Sequence, residues 1–484
     1  MIDPETPEGK WFARLAQELH NRRTGRMGSQ RWNKGALNNK VERPGLELID
    51  AYFRGDPPLR SDIHGGWKPY VRAFLRAGRL NMAELTVVST SNRMNLRDFR
   101  TAAANDKQGD LAAREIMLVN EWEQMAREVH DNMLSLADGY TITTPPSARS
   151  RFARVTAEDP REVITAHDPM TGECLAGLKL FRDDWDAADL AYFALRMDDG
   201  SVMVQKLKRG GSSSINDGPF RFDNEGWAPD GEAQKSPFDV MPFDRFRNRF
   251  GVGEFERHLD TLDRINDKVF NEWWISKIQA FRQRAVKNLP DTETTVVDGK
   301  RVEEEIDYSD MFTASPDEMW QVPGDVEFWE SAPVDLTPIT ASVQKDLERY
   351  AAAVSQPLHT ITPDAANGSA EGATLMREEH NFKIEDRIGR VDRRWCSVMS
   401  KCFTYMGDDQ RADVTQLESI WGPVERYSLA QRSDAVAKQR GVTPTEAIWT
   451  DVLQYRPADV PRLRTLAGRE LLFLPPTPPA PNGQ

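Results

Sequence analysis

The chain has 484 residues, of which 39% are hydrophobic and 29% are charged, and its formal net charge is −13 at pH 7. This length predicts several structural units, and the negative charge excludes a protein that grips phosphates over its whole surface. The three cysteines, Cys174, Cys396 and Cys402, are too few for a disulfide framework, so we expect buried thiols in a reducing compartment. No apolar run approaches the roughly 20 residues of a membrane helix, which argues against a membrane protein.

The first half of the sequence predicts helices followed by short strands. Apolar residues at helical spacing predict an N-terminal helix around Phe12 and one long helix over residues 111–136, ending at Asp138-Gly139. Short β-rich segments follow, and Asp199-Gly200 predicts a hairpin turn between the last two. Residues 210–242 have no periodicity and are predicted to be a loop.

Three long helical patterns dominate the second half. The first is predicted over residues 253–288, and its apolar residues recur at four- and three-residue spacing: Phe255, Leu259, Leu262, Val269 and Trp273. Roughly 35 residues make a helix of about 50 Å, which is longer than a compact domain needs. We therefore expect neighbouring copies of the chain to bury its flanks. Further helices are predicted at 336–357 and 373–407, and a helical unit at 408–470 precedes a proline-rich tail at 471–484.

An acidic segment separates the first two of these helices. Residues 289–335 contain fourteen Asp or Glu against only Lys300 and Arg301. Such a surface disfavours adhesion of phosphates and can dock basic faces of a partner, and a solvated segment without a partner is the alternative. The candidate docking residues are Glu303, Glu304, Glu305, Asp307 and Asp310. Adjacent carboxylates on a strand point to alternate faces, so we predict no metal site there.

The sequence contains no recognisable catalytic set. The seven histidines lie in unrelated segments, and no Gly-x-Ser-x-Gly or phosphate-binding Gly-Lys-Ser/Thr sequence is present. Residues 358–372 are mostly small and polar, and they lack the lysine of a nucleotide-binding loop. We therefore expect a protein that is not an enzyme and that has no cofactor, catalytic residue or metal.

The order of these segments resembles the portal proteins of tailed double-stranded DNA bacteriophages, most closely those with long non-contractile tails. Residues 243–253 (FDRFRNRFGVG) are similar to the family's turn before the first stem helix. Asp263 and Asn266 match an Asp-x-x-Asn motif that recurs within that helix in the family. Gly139-Tyr140 resembles the start of the β segment. Residues 355–359 (SQPLH) with 367–370 (NGSA) resemble the tunnel-loop signature. The resemblance covers about residues 110 to 455 and depends on the order and spacing of these motifs.

The resemblance implies a portal fold, which is α+β and mainly helical, in a subunit that forms a ring, usually of twelve copies, around an axial channel. By position, its regions would be a wing at 1–250, stem helices at 251–288 and 336–357, a clip at 289–335, a tunnel loop at 358–372, a long wing helix at 373–407, a crown at 408–470 and the tail at 471–484.

It also implies roles for individual residues. The DNA-channel loop would present His359, Thr360, Thr362, Asp364, Asn367 and Ser369. The basic end of the first stem helix would either form a ring beside the channel or pair with the acidic clip, through Lys277, Arg282, Arg284 and Lys287. Asp263 and Asn266 would be structural, because a polar group on the apolar stripe must find hydrogen bonds.

The function implied is packaging and ejection of double-stranded DNA, without sequence specificity, through a channel at one capsid vertex of the virion. Its partners would be the terminase large subunit, the head–tail adaptor, and the major capsid and scaffolding proteins, with assembly in the host cytoplasm and no membrane. Two alternatives stay open. One is a non-enzymatic helical scaffold protein, and the other is a catalytic subunit of a DNA-packaging motor.

Overall fold

The computed structural model describes residues 5–25, 43–58, 75–101, 103, 109–183, 188–209, 227–280, 284–288, 292–297, 300–305, 327–330, 332, 334–357, 370–425, 428–456 and 459–473. The chain divides into two compact units. The larger comprises Met1–Trp67, Asn81–Leu262 and Glu348–Gln484, and the smaller comprises Lys68–Leu80 and Asp263–Leu347.

Helix and strand are mixed, as predicted, with helix predominating in the part described. The helices are α1 (Pro7–Thr24), α2 (Leu46–Phe53), α3 (Met82–Ser91), α4 (Leu111–Val119), α5 (Trp122–Leu136), α6 (Leu259–Ala280), α7 (Thr337–Ala353), α8 (Ala370–Met406), α9 (Asp409–Ala412), α10 (Leu429–Gln439), α11 (Thr445–Ala447) and α12 (Val460–Phe473). Two of the four divisions between the units, after Leu262 and after Leu347, fall inside α6 and α7.

Strands form antiparallel sheets in both units. They are β1 (Leu96–Arg100), β2 (Asp138–Thr144), β3 (Arg154–Glu158), β4 (Val163–His167), β5 (Cys174–Asp183), β6 (Ala188–Arg196), β7 (Val202–Arg209), β8 (Trp227–Pro229), β9 (Gln234–Lys235), β10 (Phe243–Arg247), β11 (Arg284–Lys287), β12 (Thr292–Val297), β13 (Lys300–Glu305), β14 (Glu327–Glu330) and β15 (Glu418–Trp421). The larger unit contains the sheets β4-β5-β6-β7-β8, with β9 on β7, then β10-β2-β3 and β1-β15. The smaller unit contains the pairs β11-β14 and β12-β13.

Helix α1 covers the largest sheet. Its apolar stripe includes Phe12, Leu15 and Leu19, and these pack with sheet residues such as Phe193 and Trp227 in one buried cluster. The Phe12 ring meets the rings of both sheet residues edge-on, with centroids 5.8 Å apart. The hairpin predicted at Asp199-Gly200 joins β6 to β7, and the positive φ of 85° at Gly200 is the conformation that such a turn needs.

Helix α8 is the longest element described and runs through the core of the larger unit. Its 37 residues correspond to about 55 Å. Its apolar residues form a buried stripe along one side of the helix, since Ile384, Val391, Trp395, Met399 and Cys402 are all buried. Cys396 is also buried and Cys174 is half-buried, and all three cysteines are free thiols, as expected.

Sheet β10-β2-β3 lies against α5 at the predicted Gly139-Tyr140 start. A Cβ at Gly139 would lie 2.4 Å from the carbonyl oxygen of Val129 in α5, so the close approach of strand and helix requires glycine. The Tyr140 side chain beside it is fully buried. The helix itself ends at Leu136, before Asp138-Gly139, because Ala137 has a φ of 74° and β2 begins at the next residue.

The prediction of one helix over residues 111–136 is wrong. Two helices, α4 and α5, are separated at Asn120-Glu121, where Glu121 has a left-handed φ of 48°. The Asn120 amide nitrogen donates to the carbonyl oxygens of Ile116 and Ala153, and its oxygen accepts from the N–H of Val155 at 2.9 Å. Asn120 therefore ends α4 by binding its last turn to strand β3, a long-range contact that periodicity does not reveal.

The predicted stem helix at 251–288 is also shorter than expected. After a 3₁₀ turn at Glu256–His258, helix α6 has 22 residues, which is about 33 Å. Residues Arg284–Lys287 form strand β11, which pairs with β14 in the register Arg284 to Glu330 and Lys287 to Glu327. At residues 284–287, backbone hydrogen bonds to β14, about forty residues later in the chain, replace the hydrogen bonds of a helix.

Three smaller boundaries also differ from the prediction. Within the predicted loop at 210–242, residues Trp227–Pro229 and Gln234–Lys235 pair with β7. The predicted helical unit at 408–470 includes strand β15, which pairs with β1 from the first half of the chain. Residues 370–372 of the predicted tunnel loop belong to α8. Among the described helices, none is both long and apolar enough to cross a membrane.

Candidate functional site

The turn that precedes α6 is held by side chains from several parts of the larger unit. The Asn248 carboxamide oxygen accepts from the N–H of Arg249 at 2.8 Å, and its nitrogen donates to the carbonyl oxygen of Val252 at 2.9 Å. A Cβ at Gly253 would lie 2.1 Å from the carbonyl oxygen of Ser135, so the turn sits directly on the end of α5. Residues 248–253, the second half of the 243–253 motif, are therefore a turn held in place on both sides; we call it the 248–253 turn.

Glu256 also stabilises the 248–253 turn through hydrogen bonds. Its carboxylate accepts from the N–H of Gly253 at 2.8 Å and from the Arg43 guanidinium at 2.7 Å. Arg43 also donates to the carbonyl oxygen of Gly251. The Glu256 side chain is buried, so this charge is neutralised inside the protein instead of by solvent.

The residue after the turn, Glu254, is the centre of a buried ion-pair group. Its carboxylate oxygens lie 2.8 Å from Lys383 Nζ and 2.7 Å from Arg387 Nε, both on α8, and it accepts from Asn248 at 3.0 Å. The side chains of Glu254, Lys383 and Arg387 are only 5%, 8% and 8% exposed. We call Asn248, Glu254, Lys383 and Arg387 the Glu254 cluster.

Electrostatics keep Glu254 ionised. Burial alone would raise the pKa of this carboxyl group, but the attraction of Lys383 and the hydrogen bond from Arg387 outweigh burial and lower the pKa to about 2. For Lys383 the balance is reversed: burial lowers the pKa of its ammonium and exceeds the attraction of Glu254. Two cations converge on this one carboxylate, so Glu254 is ionised in the folded protein.

The residues that follow α7 are hydrogen-bonded to residues 379–383 of α8. Lys383 Nζ donates to the carbonyl oxygen of Val354 at 2.9 Å, and His380 Nδ1 donates to that of Ser355 at 3.0 Å. The Ser355 hydroxyl donates to Glu379 Oε1 at 2.8 Å. These contacts hold residues 354–356, which we call the 354–356 anchor, against the helix that follows the 358–369 segment.

Two further details define this anchor. Ser355 has a left-handed φ of 52°, and the Gln356 amide donates to Ser89 Oγ at 2.7 Å. Burial lowers the pKa of His380 to about 4, although its hydrogen bond to Ser355 acts in the opposite direction. The imidazole is therefore neutral at neutral pH. Its Nδ1 carries the proton, because a carbonyl oxygen can only accept.

In the smaller unit, polar contacts join α6 to α7 along their length. The carboxylate of Asp346, a residue only 1% exposed, lies 3.1 Å from Arg264 Nε and 2.7 Å from Lys268 Nζ. Farther along, Thr340 donates to Glu272 at 2.6 Å, and Gln279 donates to the carbonyl oxygen of Val334, just before α7, at 3.1 Å. We call these pairs the α6–α7 ladder.

The two predicted structural residues of the stem lie on α6. Asn266 is half-buried, and its carboxamide oxygen accepts from the N–H of Leu80 at 2.9 Å, which supplies the hydrogen bond that its position demands. Asp263 is half-buried one turn earlier. The structural role of these two residues stays a prediction.

The other predicted site residues are described only in part. The channel residues His359, Thr360, Thr362, Asp364, Asn367 and Ser369 lie outside the described residues. Of the basic set, Lys277 is exposed near the end of α6, Arg284 and Lys287 are on strand β11, and Arg282 lies outside the described residues. The predicted placement of this set on one helix is therefore wrong, and its role as a ring stays a prediction.

The acidic docking residues are only partly described. Glu303, Glu304 and Glu305 end strand β13, as expected of a strand, and pair in register with Thr294, Glu293 and Thr292. Asp307 and Asp310 lie outside the described residues. Across the described ranges, no group of three or more His, Cys, Asp or Glu side chains is placed to hold a metal ion.

Sequence reasoning missed the Glu254 cluster and the 354–356 anchor. One signal was available, because Lys383 and Arg387 are four residues apart and flank Ile384 on the apolar stripe of α8. Cations at such positions demand buried partners. The identity of the partner, Glu254, is about 130 residues away in the sequence and could not be read from spacing.

No protein-family model matches the sequence, and no curated protein matches it. Several solved structures are similar to the chain, and two of them, at low sequence identity, come from the neck of a gene transfer agent (GTA) particle. One, described as "Neck of empty GTA particle computed with C6 symmetry", is 11% identical, with 84% of this chain and 93% of that chain covered and a TM-score of 0.44. The other, "Neck of native GTA particle computed with C12 symmetry", is 13% identical, with 85% and 95% covered and a TM-score of 0.39.

The Glu254 cluster and the 354–356 anchor are suited to holding chain segments in place. In the Glu254 cluster each charged side chain faces one of opposite sign, and each is buried. The cluster and the anchor together join the 248–253 turn, the end of α7 and the first half of α8. The chemistry is that of a rigid junction from which the 358–369 segment departs and to which it returns.

Proposed function

We propose that this chain is a phage portal protein, the subunit of a ring at one capsid vertex through which double-stranded DNA is packaged and ejected. One observation carries the proposal. The residues before the 358–369 segment are bonded to the helix after it, by Lys383 to Val354 and by His380 to Ser355. A twelve-residue stretch of small and polar residues is thereby held at a buried, ion-paired base.

In a ring of about twelve copies, these stretches would line the axial channel. Thr360, Thr362, Asn367 and Ser369 are neutral hydrogen-bonding groups, which can touch a phosphate backbone without the strong attraction of Lys or Arg. The rigid junction beneath would keep the segments in register around the channel. DNA would then slide past a surface that binds it weakly and without sequence specificity.

The acidic segment at 289–335 would be the clip. The α6–α7 ladder supports this assignment, because two helices joined by Asp346, Arg264 and Lys268 can carry a distal β structure on a stiff stem. Strands β12 and β13 pair in this segment and end in Glu303, Glu304 and Glu305. Their charge would dock basic faces of the terminase large subunit and the head–tail adaptor.

The remaining regions would follow the portal order: wing 1–250, crown 408–470 and a proline-rich tail at 471–484. The wing would contact the major capsid and scaffolding proteins when the particle assembles in the host cytoplasm. We propose a structural role without catalysis or cofactor, in which a separate ATPase drives translocation.

Electron microscopy of the purified chain tests the proposal. Closed rings with a central hole, near twelve subunits, are expected in averaged top views, with a matching mass by light scattering. A stable monomer at micromolar concentration would contradict it and favour the helical scaffold alternative. ATP hydrolysis that co-purifies with the chain and vanishes on a point substitution in it would instead favour the packaging-motor alternative.

A further inference from the structure

Phe250 is presented to solvent in an unfavourable backbone conformation. Its side chain is 69% exposed, and its φ of 58° places it in the left-handed region. For a bulky residue this conformation is a genuine outlier that persists only where surrounding contacts impose it. Asn248 and Arg43 supply those contacts through the 248–253 turn.

Two cations flank the exposed ring. The guanidinium of Arg249 lies 5.0 Å from the centroid of the Phe250 ring, and that of Arg257 lies 5.4 Å from it. Both distances are within the range of a cation–π contact. Phe250, Arg249 and Arg257 thus form a rigid aromatic group with a basic rim, which we call the Phe250 knob.

A second exposed aromatic residue has the opposite rim. Phe382 on α8 is 61% exposed. Four acidic residues occupy the positions three and four residues before and after it, where side chains share one helix surface: Glu378, Glu379, Glu385 and Asp386. Glu378 and Glu385 are themselves exposed. We call Phe382 with these four residues the Phe382 face.

The Phe382 face is turned away from the side of α8 that contacts Glu254. Lys383 and Arg387 point towards Glu254, which follows the 248–253 turn. At about 100° per residue, the Phe382 face is centred on Phe382, roughly 120° around the helix from that direction. Because the two surfaces are separate and both exposed, the knob of one copy can meet the face of another in a head-to-tail arrangement.

We propose that the Phe250 knob of one copy docks on the Phe382 face of a second copy of this chain. The two rings would pack together at the centre, and Arg249 and Arg257 would pair with Glu378 and Glu385 at the rim. An aromatic anchor surrounded by complementary charge is the usual composition of a strong contact. Repeated head-to-tail, this contact closes into a ring, so the inference rests on the proposed function for its repetition.

Cysteine cross-linking tests the contact directly. The double variant Phe250→Cys/Phe382→Cys should form disulfide-linked ladders between copies under mild oxidation. Each single variant should not. All variants carry Cys174→Ser because Cys174 is half-buried, whereas the native Cys396 and Cys402 are buried and so contribute little. Cross-linking by F250C alone would show a two-fold contact instead and overturn the proposal.

Charge reversal provides the second test. Arg249→Glu/Arg257→Glu should weaken assembly by roughly tenfold or more, and so should Glu378→Arg/Glu385→Arg. All four changes on one chain should restore assembly, because each rim again meets its opposite. Arg151→Glu is the matched control, since Arg151 is also an exposed arginine over a phenylalanine ring, at 4.7 Å from Phe152.

The outcomes separate this inference from the proposed function. If the wild type and both charge-reversed variants form rings equally well, and the double cysteine variant gives no cross-link, the docking contact is overturned. The portal proposal is then unaffected. A wild-type monomer without cross-links overturns both. Restoration by the fourfold variant supports the contact in a way that a folding defect cannot imitate.

Discussion

Lys383 Nζ lies 2.8 Å from Oε2 of Glu254, and this pair joins the middle of the chain to its longest helix. The same ammonium donates to the carbonyl oxygen of Val354 at 2.9 Å. One buried cation therefore connects the 248–253 turn, the end of α7 and α8. Removing its carboxylate partner should affect all three segments at once.

The substitution Glu254→Gln should destabilise the larger unit by about 3–5 kcal/mol, because it leaves the charges of Lys383 and Arg387 buried without a carboxylate. Denaturant unfolding followed by far-UV circular dichroism measures this loss. Glu18→Gln is the control, since Glu18 is exposed on α1 and its change should be within about 0.5 kcal/mol. Equal stability of E254Q and wild type would show that the cluster does not hold the junction.

The Glu254 carboxyl also predicts an acid transition. Its pKa is about 2 in the folded protein, below the ordinary value of 4.5, so the unfolded chain binds the extra proton between these values. Its contribution, on the order of 3 kcal/mol, is complete above pH 4.5 and lost as the pH falls towards 2. Unfolding free energies measured between pH 5 and 3 should fall less steeply in E254Q than in wild type.

Buried histidines predict a loss of stability at milder acidity. Burial lowers the pKa of His130 to about 3 and of His380 to about 4, whereas the ordinary value is 6.5. The folded protein binds fewer protons than the unfolded chain in this window, so stability should decrease as the pH falls below 6.5. Melting temperatures between pH 7 and 5 should show this slope, and His130→Gln should reduce it. An unchanged slope in H130Q would mean that His130 is protonated equally in both states.

The residues that the sequence predicted well are those governed by local pattern. The stripe of α8, including Val391 and Trp395, follows from spacing alone, as do strands β4 to β7. The misses depend on distant partners. Asn120 ends α4 by bonding to Ala153, and Arg284–Lys287 leaves the helical pattern to pair with β14.

The candidate site was less predictable than the fold for the same reason. Asn266 could be recognised as a polar residue on an apolar stripe, and the structure supplies its partner, the N–H of Leu80. In the sequence, Glu254 cannot be distinguished from the other acidic residues near the start of α6. Only the fold brings Lys383 and Arg387 to it and shows that it is buried.

The α6–α7 ladder should depend on Asp346. Asp346→Asn keeps the shape of the side chain but removes the charge that faces Arg264 and Lys268. Because these cations are partly exposed, we expect a loss of about 2–3 kcal/mol, confined to the smaller unit. Hydrogen exchange should show faster amide exchange in α6 and α7, while α8 is unchanged. Lys345→Gln, an exposed neighbour on α7, is the control and should leave exchange unaltered.

The 358–369 segment gives the sharpest test of DNA contact. Replacing Thr362, Asn367 and Ser369 by Lys adds three positive charges per subunit to a stretch that is otherwise small, polar and free of Lys and Arg. Assembly should be intact, because the 354–356 anchor and the Glu254 cluster do not include these residues. DNA packaging or release should slow, since each cation can hold a phosphate.

A charge-matched variant separates contact with DNA from a general effect of added charge. Gln17→Lys, Gln124→Lys and Gln439→Lys add the same three charges at exposed helical positions. This control should package DNA like the parent. Slowing by the 358–369 variant should weaken as salt rises, because screening and counterion competition reduce phosphate binding. If that variant forms rings and packages DNA at the parental rate in low salt, the segment does not face DNA and its assignment to the channel is wrong.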